Sequence, residues 1–131
     1  MIAVDTSALV TIVLGEPDAE RYLARLEHHT CRLSTVSFVE ATMVVESRQG
    51  PDASRDLELL VDATIDTVVP VDIDIARAAV TGWRRFGKGR HTAALNFGDC
   101  FSYAVAHLAG IPLLYKGDDF SQTDIAAVII D

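Results

Sequence analysis

Short apolar, β-branched runs alternate along this chain with longer stretches of helical periodicity, and that alternation predicts a fold before any chemistry is considered. Ile2 to Val4 is the first such run, a strand, and Asp5-Thr6-Ser7 behind it offers helix caps ahead of the helical run Ala8 to Leu14. Glu16-Pro17-Asp18 opens a second helix reaching about Glu27, with Tyr22, Leu23 and Leu26 on its apolar side. His28 and His29 close it, where positive charge suits the helix dipole. Cys31 to Thr35 reads as a second strand, followed by a helix from Val36 to about Arg48 that stops at Gln49-Gly50-Pro51, and by a further helix over about Ala53 to Ala63.

Thr67 to Val71 is the third predicted strand, with Pro70 near its end. Asp72 then caps a helix from Ile73 to Phe86 whose apolar face holds Ile75, Ala78, Ala79 and Trp83. Gly87, Gly89 and the polar residues to Thr92 form a loop, and Asn96 or Gly98 opens a helix through about Leu108, closed by Gly110 and Pro112. Pro112 to Tyr115 is the fourth strand. After a turn at Phe120 to Asp124, the uninterrupted apolar run Ile125 to Ile130 is expected as a fifth strand covered on both faces. Strands that alternate with helices and lack polar alternation predict an α/β fold: a three-layer α/β/α sandwich around a central parallel sheet.

Composition narrows this picture. A chain of 131 residues with 50% hydrophobic content suits a single domain, residues 1–131, whose core needs no staple. The only cysteines, Cys31 and Cys100, lack zinc-site spacing and are expected as buried thiols. Neither a basic leader nor a bilayer-length apolar run is present in the sequence, so a soluble, cytoplasmic protein with no membrane association is expected. The net charge of −8 opposes any general nucleic-acid coat. Between Ile75 and Gly98, however, lie Arg77, Arg84, Arg85, Lys88 and Arg90, five of the 11 basic residues and none of the 19 acidic ones. Of this basic strip, Arg84, Arg85, Lys88 and Arg90 are candidate RNA contacts, set against the plainer reading of a solvated helix end.

Four acidic positions follow a strand or sit in a first helical turn: Asp5, Glu40, Asp99 and the pair Asp118-Asp119. Singly, each has an ordinary role open to it. Asp5 would cap a helix at Thr6, Glu40 would answer Ser37 in a capping box, Asp99 would complement a helix N-terminus, and Asp118-Asp119 would form a turn. Together they mean more, because the loops after parallel strands converge on one crevice, and carboxylates gathered there stay ionised only beside cations. Oxygen ligands without His or Cys select a hard ion, Mg²⁺ or Mn²⁺, and such ions suit phosphodiester hydrolysis by activated water. Ser7 and Ser102 stand next to these acids with no base adjacent in sequence, so hydrogen bonding to a carboxylate or a metal-bound water is expected of them rather than nucleophilic attack. Trp83 and Tyr103 fall on apolar helical faces and are expected in the core.

The segments Ile-Ala-Val-Asp-Thr-Ser-Ala-Leu, the helix bearing Glu40, Asn-Phe-Gly-Asp-Cys-Phe-Ser-Tyr-Ala, and Leu-Leu-Tyr-Lys-Gly-Asp-Asp-Phe occur in an order that resembles VapC-type toxins of the PIN-domain ribonucleases, almost from end to end. The resemblance implies a toxic endoribonuclease using Mg²⁺ or Mn²⁺. Asp5, Asp99 and an acid of the Lys-Gly-Asp-Asp-Phe turn would be the metal ligands, with Glu40 assisting. Asp119 is favoured over Asp118 because related members often carry another residue before the final acid of that turn. The resemblance also implies 5′-phosphate and 3′-hydroxyl product ends, a homodimer, a VapB-like antitoxin that plugs the acidic pocket with arginine, and transfer RNA as one class of target. Two rivals compete with this reading. A phosphoacceptor receiver domain would show paired acids after the first strand and a late Lys-Pro, where this chain has Val4-Asp5-Thr6 and Lys116-Gly117; an inert binding module would be expected to have lost acids.

Overall fold

A computed structural model of the chain describes residues 1–130. Four strands, β1 (Ile2–Val4), β2 (Cys31–Ser34), β3 (Thr67–Val69) and β4 (Leu113–Leu114), pair in parallel in the order β3-β2-β1-β4. Among the described residues, six helices pack on this sheet: α1 (Thr6–Val13), α2 (Ala19–His28), α3 (Thr35–Gln49), α4 (Pro51–Thr64), α5 (Ile73–Phe86) and α6 (Phe97–Ala109). Residues of β1 alternate between two cores, as strand geometry demands. Ile2 and Val4, with Cys31, Leu33 and Leu114, join Leu9, Leu26, Val45 and Leu57 from α1 to α4. Ala3, with Val69 and Leu113, joins Ala79, Tyr103 and Val105 from α5 and α6. Helices thus cover both faces, which is why the central strands carry no polar alternation. Both cysteines are buried free thiols.

Several expected boundaries move. Ser34, not Ser37, is the N-cap of α3, its hydroxyl accepting from the Val36 N–H at 3.1 Å, so the capping box expected of Glu40 does not form. Pro51 begins α4 as its first residue instead of only ending α3, consistent with its missing N–H being harmless there. The fifth strand reduces to one parallel bridge between Leu113 and Ala127, because β4 offers just two residues for pairing. Within that run Ile125, Val128 and Ile130 pack on the cores, while Ile129 is 74% exposed. Tyr103 is fully buried as expected; Trp83 is 44% exposed and belongs to the surface. No helix among the described residues is long and apolar enough to cross a membrane.

The tightest helix contact joins α5 to α6, where Gly82 faces the Tyr103 ring. A β-carbon at Gly82 would stand 2.6 Å from Tyr103 Cδ1, and Tyr103 is itself wedged beside Phe86 (5.8 Å between centroids) and His107 (5.3 Å). Gly82→Val is therefore expected to lower unfolding free energy by roughly 1–3 kcal/mol through overpacking. Thr81→Ala, on the exposed neighbouring position, should change it by less than about 0.5 kcal/mol. Urea denaturation of the two variants checks both values.

Candidate active site

Asp5 leaves β1 in extended conformation and caps α1. Its Oδ2 accepts from the Ser7 N–H at 3.0 Å and from the Ser7 hydroxyl at 2.7 Å. Its Oδ1 accepts from the Ser102 hydroxyl of α6 at 2.6 Å, and that hydroxyl lies 3.1 Å from the Ser37 hydroxyl of α3. Both oxygens are fixed by neutral donors, and the side chain is almost wholly buried. The expected role for Ser7 and Ser102 is met.

Asp99 occupies the third position of α6 and completes a capping box there. The Asn96 side chain accepts from the Asp99 N–H at 2.9 Å, and Asp99 Oδ2 accepts from the Asn96 N–H at 3.0 Å. Burial pushes the Asp99 carboxyl up to about 7, against the lowering effect of the Asn96 N–H; the negative charges of Asp5, Asp119 and Glu40 push it further up. Asp5, Asp119 and Glu40 therefore all lie within electrostatic reach of Asp99. Asp118 acts instead on Tyr115, which supports Asp119 as the fourth acid.

Glu40 projects from α3, and its Oε1 accepts from the Thr6 hydroxyl at 2.5 Å. It reaches α6 only because Gly98 has no side chain: a β-carbon there would stand 2.5 Å from Glu40 Oε2 and 2.6 Å from Oε1. The carboxylate thus lies against the positive end of α6. Asp119 is exposed on the turn after β4. That turn is moored by Lys116, whose N–H donates to Ser7 Oγ at 2.9 Å and whose ammonium bridges Glu16 (2.6 Å) and Asp18 (3.0 Å).

Among the described residues no ion pair reaches Asp5, Glu40, Asp99 or Asp119, so no side-chain cation cancels their charge. Among the described residues no three of the acids stand close enough together to form a ready-made metal cluster. The donor chemistry fits a hard divalent ion: every candidate ligand is a carboxylate oxygen. Cys100 does not compete, since burial raises its thiol to about 11 and keeps it protonated.

Of the basic strip, Arg85 is engaged with Asp124 at 3.0 Å, while Arg84, Lys88 and Arg90 are exposed without an ion pair among the described residues. Sequence reasoning missed Thr6, Ser37 and Gly98. For Gly98 a signal existed, a residue without a side chain immediately before an acid in a first helical turn; for the bond from Ser37, in the first turn of α3, to Ser102, 65 residues away, there was none.

The PIN domain profile matches residues 2–126 of the chain. A VapC ribonuclease of Mycobacterium bovis is 48% identical over 130 residues, covering 98% of this chain and 99% of that protein. Among solved structures, VapC20 of Mycobacterium tuberculosis, a toxin described as cleaving the sarcin-ricin loop, superposes with a TM-score of 0.79 at 20% identity over 98% of each chain. VapBC2 of Rickettsia felis, solved on a DNA fragment from its promoter, gives a TM-score of 0.78 at 14% identity over 100% of each chain.

Two outcomes are expected from this geometry. Because the folded-state pKa of Asp99 is raised from 3.8 to about 7, its contribution to stability is fully present below about pH 4 and is lost as pH rises through 7. Metal-free protein in EDTA should therefore lose stability between pH 5 and pH 8 relative to Asp99→Asn, which keeps a cap acceptor without the charge. The full shift sets a ceiling of about 4 kcal/mol, and water penetrating beside the ionised group reduces it; thermal unfolding of both proteins across that range measures the difference. Second, Gly98→Ala should displace the mobile end of Glu40 rather than unfold the helix, leaving the melting temperature within a few degrees while impairing whatever chemistry Glu40 serves. Circular dichroism melts alongside activity assays separate the two effects.

Proposed function

The chain belongs to the PIN domain family, and from that membership we propose that it is an RNA-cleaving toxin of the VapC type, hydrolysing phosphodiester bonds with the help of Mg²⁺ or Mn²⁺. What supports this reading is that Asp5, Glu40 and Asp119 all act electrostatically on Asp99, beyond the carboxyl ends of the parallel strands, with no ion pair to any of the four among the described residues. Asp5, Asp99 and Asp119 are the residues that would hold the ion. When bound, it supplies the positive charge that lowers the pKa of water and stabilises negative charge developing on the phosphate.

The remaining work falls to the chain itself. Ser7 and Ser102 fix the orientation of the Asp5 oxygens, and the capping box fixes Asp99, so these two acids are preorganised. Glu40, free of any structural capping duty in α3, orients the attacking water or receives its proton on a carboxylate oxygen. Attack in line with the leaving 3′ oxygen gives 5′-phosphate and 3′-hydroxyl ends. Burial and the neighbouring acids raise the Asp99 carboxyl toward its neutral form, which limits the repulsion it exchanges with them.

A VapB-like antitoxin is the proposed partner, its arginine bridging carboxylates in the crevice with paired, charge-assisted hydrogen bonds. The homology to VapC ribonucleases and the VapBC assembly with the same fold support this. Transfer RNA is one candidate substrate class. Val39 and Met43 expose 55% and 65% of their surface on α3, an apolar patch suited to the homodimer contact also proposed.

The test is cleavage of total RNA by purified protein, with 5′-phosphate ends mapped, in Mg²⁺, Mn²⁺ and EDTA. Asp5→Asn and Asp99→Asn should each reduce cleavage at least about 100-fold, the loss expected when a group that stabilises the transition state is removed, while both stay folded. Copurified antitoxin should suppress wild-type activity until it is proteolysed, and light scattering should report a dimer at micromolar concentration. Full activity of either variant in the presence of metal, against an EDTA control, would remove the acids from the reaction.

A further inference from the structure

Three of the four acids are seated by donors of their own, and Asp119 is not. Asp5, Asp99 and Glu40 accept hydrogen bonds from Ser102, Asn96 and Thr6, whereas Asp119 is exposed and, among the described residues, its carboxylate has neither a donor nor an ion pair. Its place is therefore decided by the turn that carries it. That turn, from Lys116 to Asp124, belongs to no strand or helix, and the backbone bonds inside it are local: the Ser121 N–H donates to the Asp118 carbonyl at 3.2 Å and the Thr123 N–H to the Phe120 carbonyl at 3.1 Å.

Both ends of the turn are fastened to other elements. At the near end the Tyr22 hydroxyl donates to the Tyr115 carbonyl at 3.2 Å, and Lys116 bridges Glu16 and Asp18. At the far end Arg85 of α5 donates to Asp124 Oδ2 at 3.0 Å and to the Tyr103 hydroxyl of α6 at 3.5 Å. Burial pushes the Tyr103 hydroxyl up to about 12, and its hydrogen bond to Asp124 acts in the same direction, so it stays protonated as a donor to that carboxylate. Tyr103 is fully buried and stands one turn of α6 beyond Asp99, so the far anchor runs into the helix that holds the neighbouring acid. Between the two ends the Phe120 ring is buried 5.2 Å from that of Tyr115.

We propose that Tyr103 and Arg85 are positioning residues for Asp119: through Asp124 they fix the far end of its turn, as Lys116 fixes the near end, and thereby set the affinity of the acidic crevice for a divalent cation. Two plainer duties do not account for this anchor. The residues beyond it are held without it, because Leu113 is hydrogen-bonded to Ala126 at 2.9 Å and to Val128 at 3.0 Å, and Ile125, Val128 and Ile130 pack on the cores. A phosphate contact at Arg85 would have to displace a carboxylate already 3.0 Å from its guanidinium. The proposal rests on the metal-dependent reading and adds which residues outside the crevice govern it.

The experiment uses the full chain with no RNA present and compares Tyr103→Phe, which keeps the buried ring, with Arg85→Ala and Arg85→Lys. In EDTA, amide hydrogen exchange across residues 116–124 should quicken about two- to fivefold in Tyr103→Phe and Arg85→Ala, the scale of one exposed polar contact, while β1 and α1 keep wild-type rates. Mn²⁺ binding, followed by the paramagnetic resonance signal of the free ion, should weaken by a similar factor in both, and Arg85→Lys should retain most of the wild-type affinity. The sign discriminates, since loss of a positive charge would by its field alone strengthen cation binding. Because the effect passes through Asp119, neither variant should weaken Mn²⁺ binding further in an Asp119→Asn background. Additive losses in that background overturn the proposal, and so does an Asp119→Asn chain that binds Mn²⁺ as the wild type does. Exchange that is unchanged in the turn, or that quickens along the whole chain, overturns it too; a residue that only touched RNA would leave both readouts unmoved. If the wild-type chain takes up no Mn²⁺, the metal-dependent reading falls, and exchange in EDTA separately decides whether Tyr103 and Arg85 hold the turn.

Discussion

The burial of one carboxyl side chain, Asp5, without a counter-charge is the constraint to which the rest of the architecture answers. Removing a carboxylate from water is costly unless its lone pairs are satisfied. Here they are satisfied by Ser7 from its own helix and by Ser102 from α6, with Ser37 of α3 behind Ser102. Three helices must therefore meet at the end of β1. A lysine or arginine would have solved the electrostatic problem more simply and closed the site to any other cation. Hydroxyls leave the charge in place, and the parallel sheet brings Asp99 and the Asp119 turn to the same rim.

Capping and chemistry prove to be the same contacts rather than rival explanations. Asp5 is the N-cap of α1 and Asp99 the third residue of a capping box on α6, as the plainest reading of each would have it. Yet those caps are what hold the two carboxylates in fixed orientation, and each helix N-terminus contributes partial positive charge beside them. Glu40 is the exception. It caps nothing in α3, and its position depends on Thr6 and on the missing side chain of Gly98. Its placement is therefore set by contacts between helices and not by any cap of its own helix.

The legible part of the sequence was what short-range pattern encodes. Strands buried on both faces give continuous apolar runs, so β1 and β2 were found close to their limits, and acids at strand-to-helix boundaries announced themselves by position. Asp72 and Asn96 capped the helices expected of them. What failed depended on partners distant in sequence. Ile125 to Ile130 looks like a strand, but β4 is too short to pair with it, and the segment becomes a bridge with side chains directed into both cores. Trp83 sits at a core-like helical position, and the loop at Gly87 and Arg90 holds it at the surface instead. The bond from Thr6 to Glu40 spans 34 residues and has no local signature.

Charge on this protein is segregated, and under the proposed metal-dependent cleavage that segregation would separate the binding of a cation from the binding of a polyanion. A crevice acidic enough to attract a divalent ion repels RNA over roughly a Debye length, about 8 Å at physiological salt. Lys88 lines a hollow that shares neutral Asn96 and Phe97 with the hollow beside Glu40. On that reading the phosphate chain is held by one field while a single phosphate is presented to the other. Neutralisation of the acids by a cation removes the repulsion at that last step, and linkage then makes metal and RNA favour each other's binding by the same factor. Mixing the charges would forfeit this: a basic residue inside the crevice would occupy the carboxylates that the ion needs, as the arginine of a bound antitoxin is proposed to do.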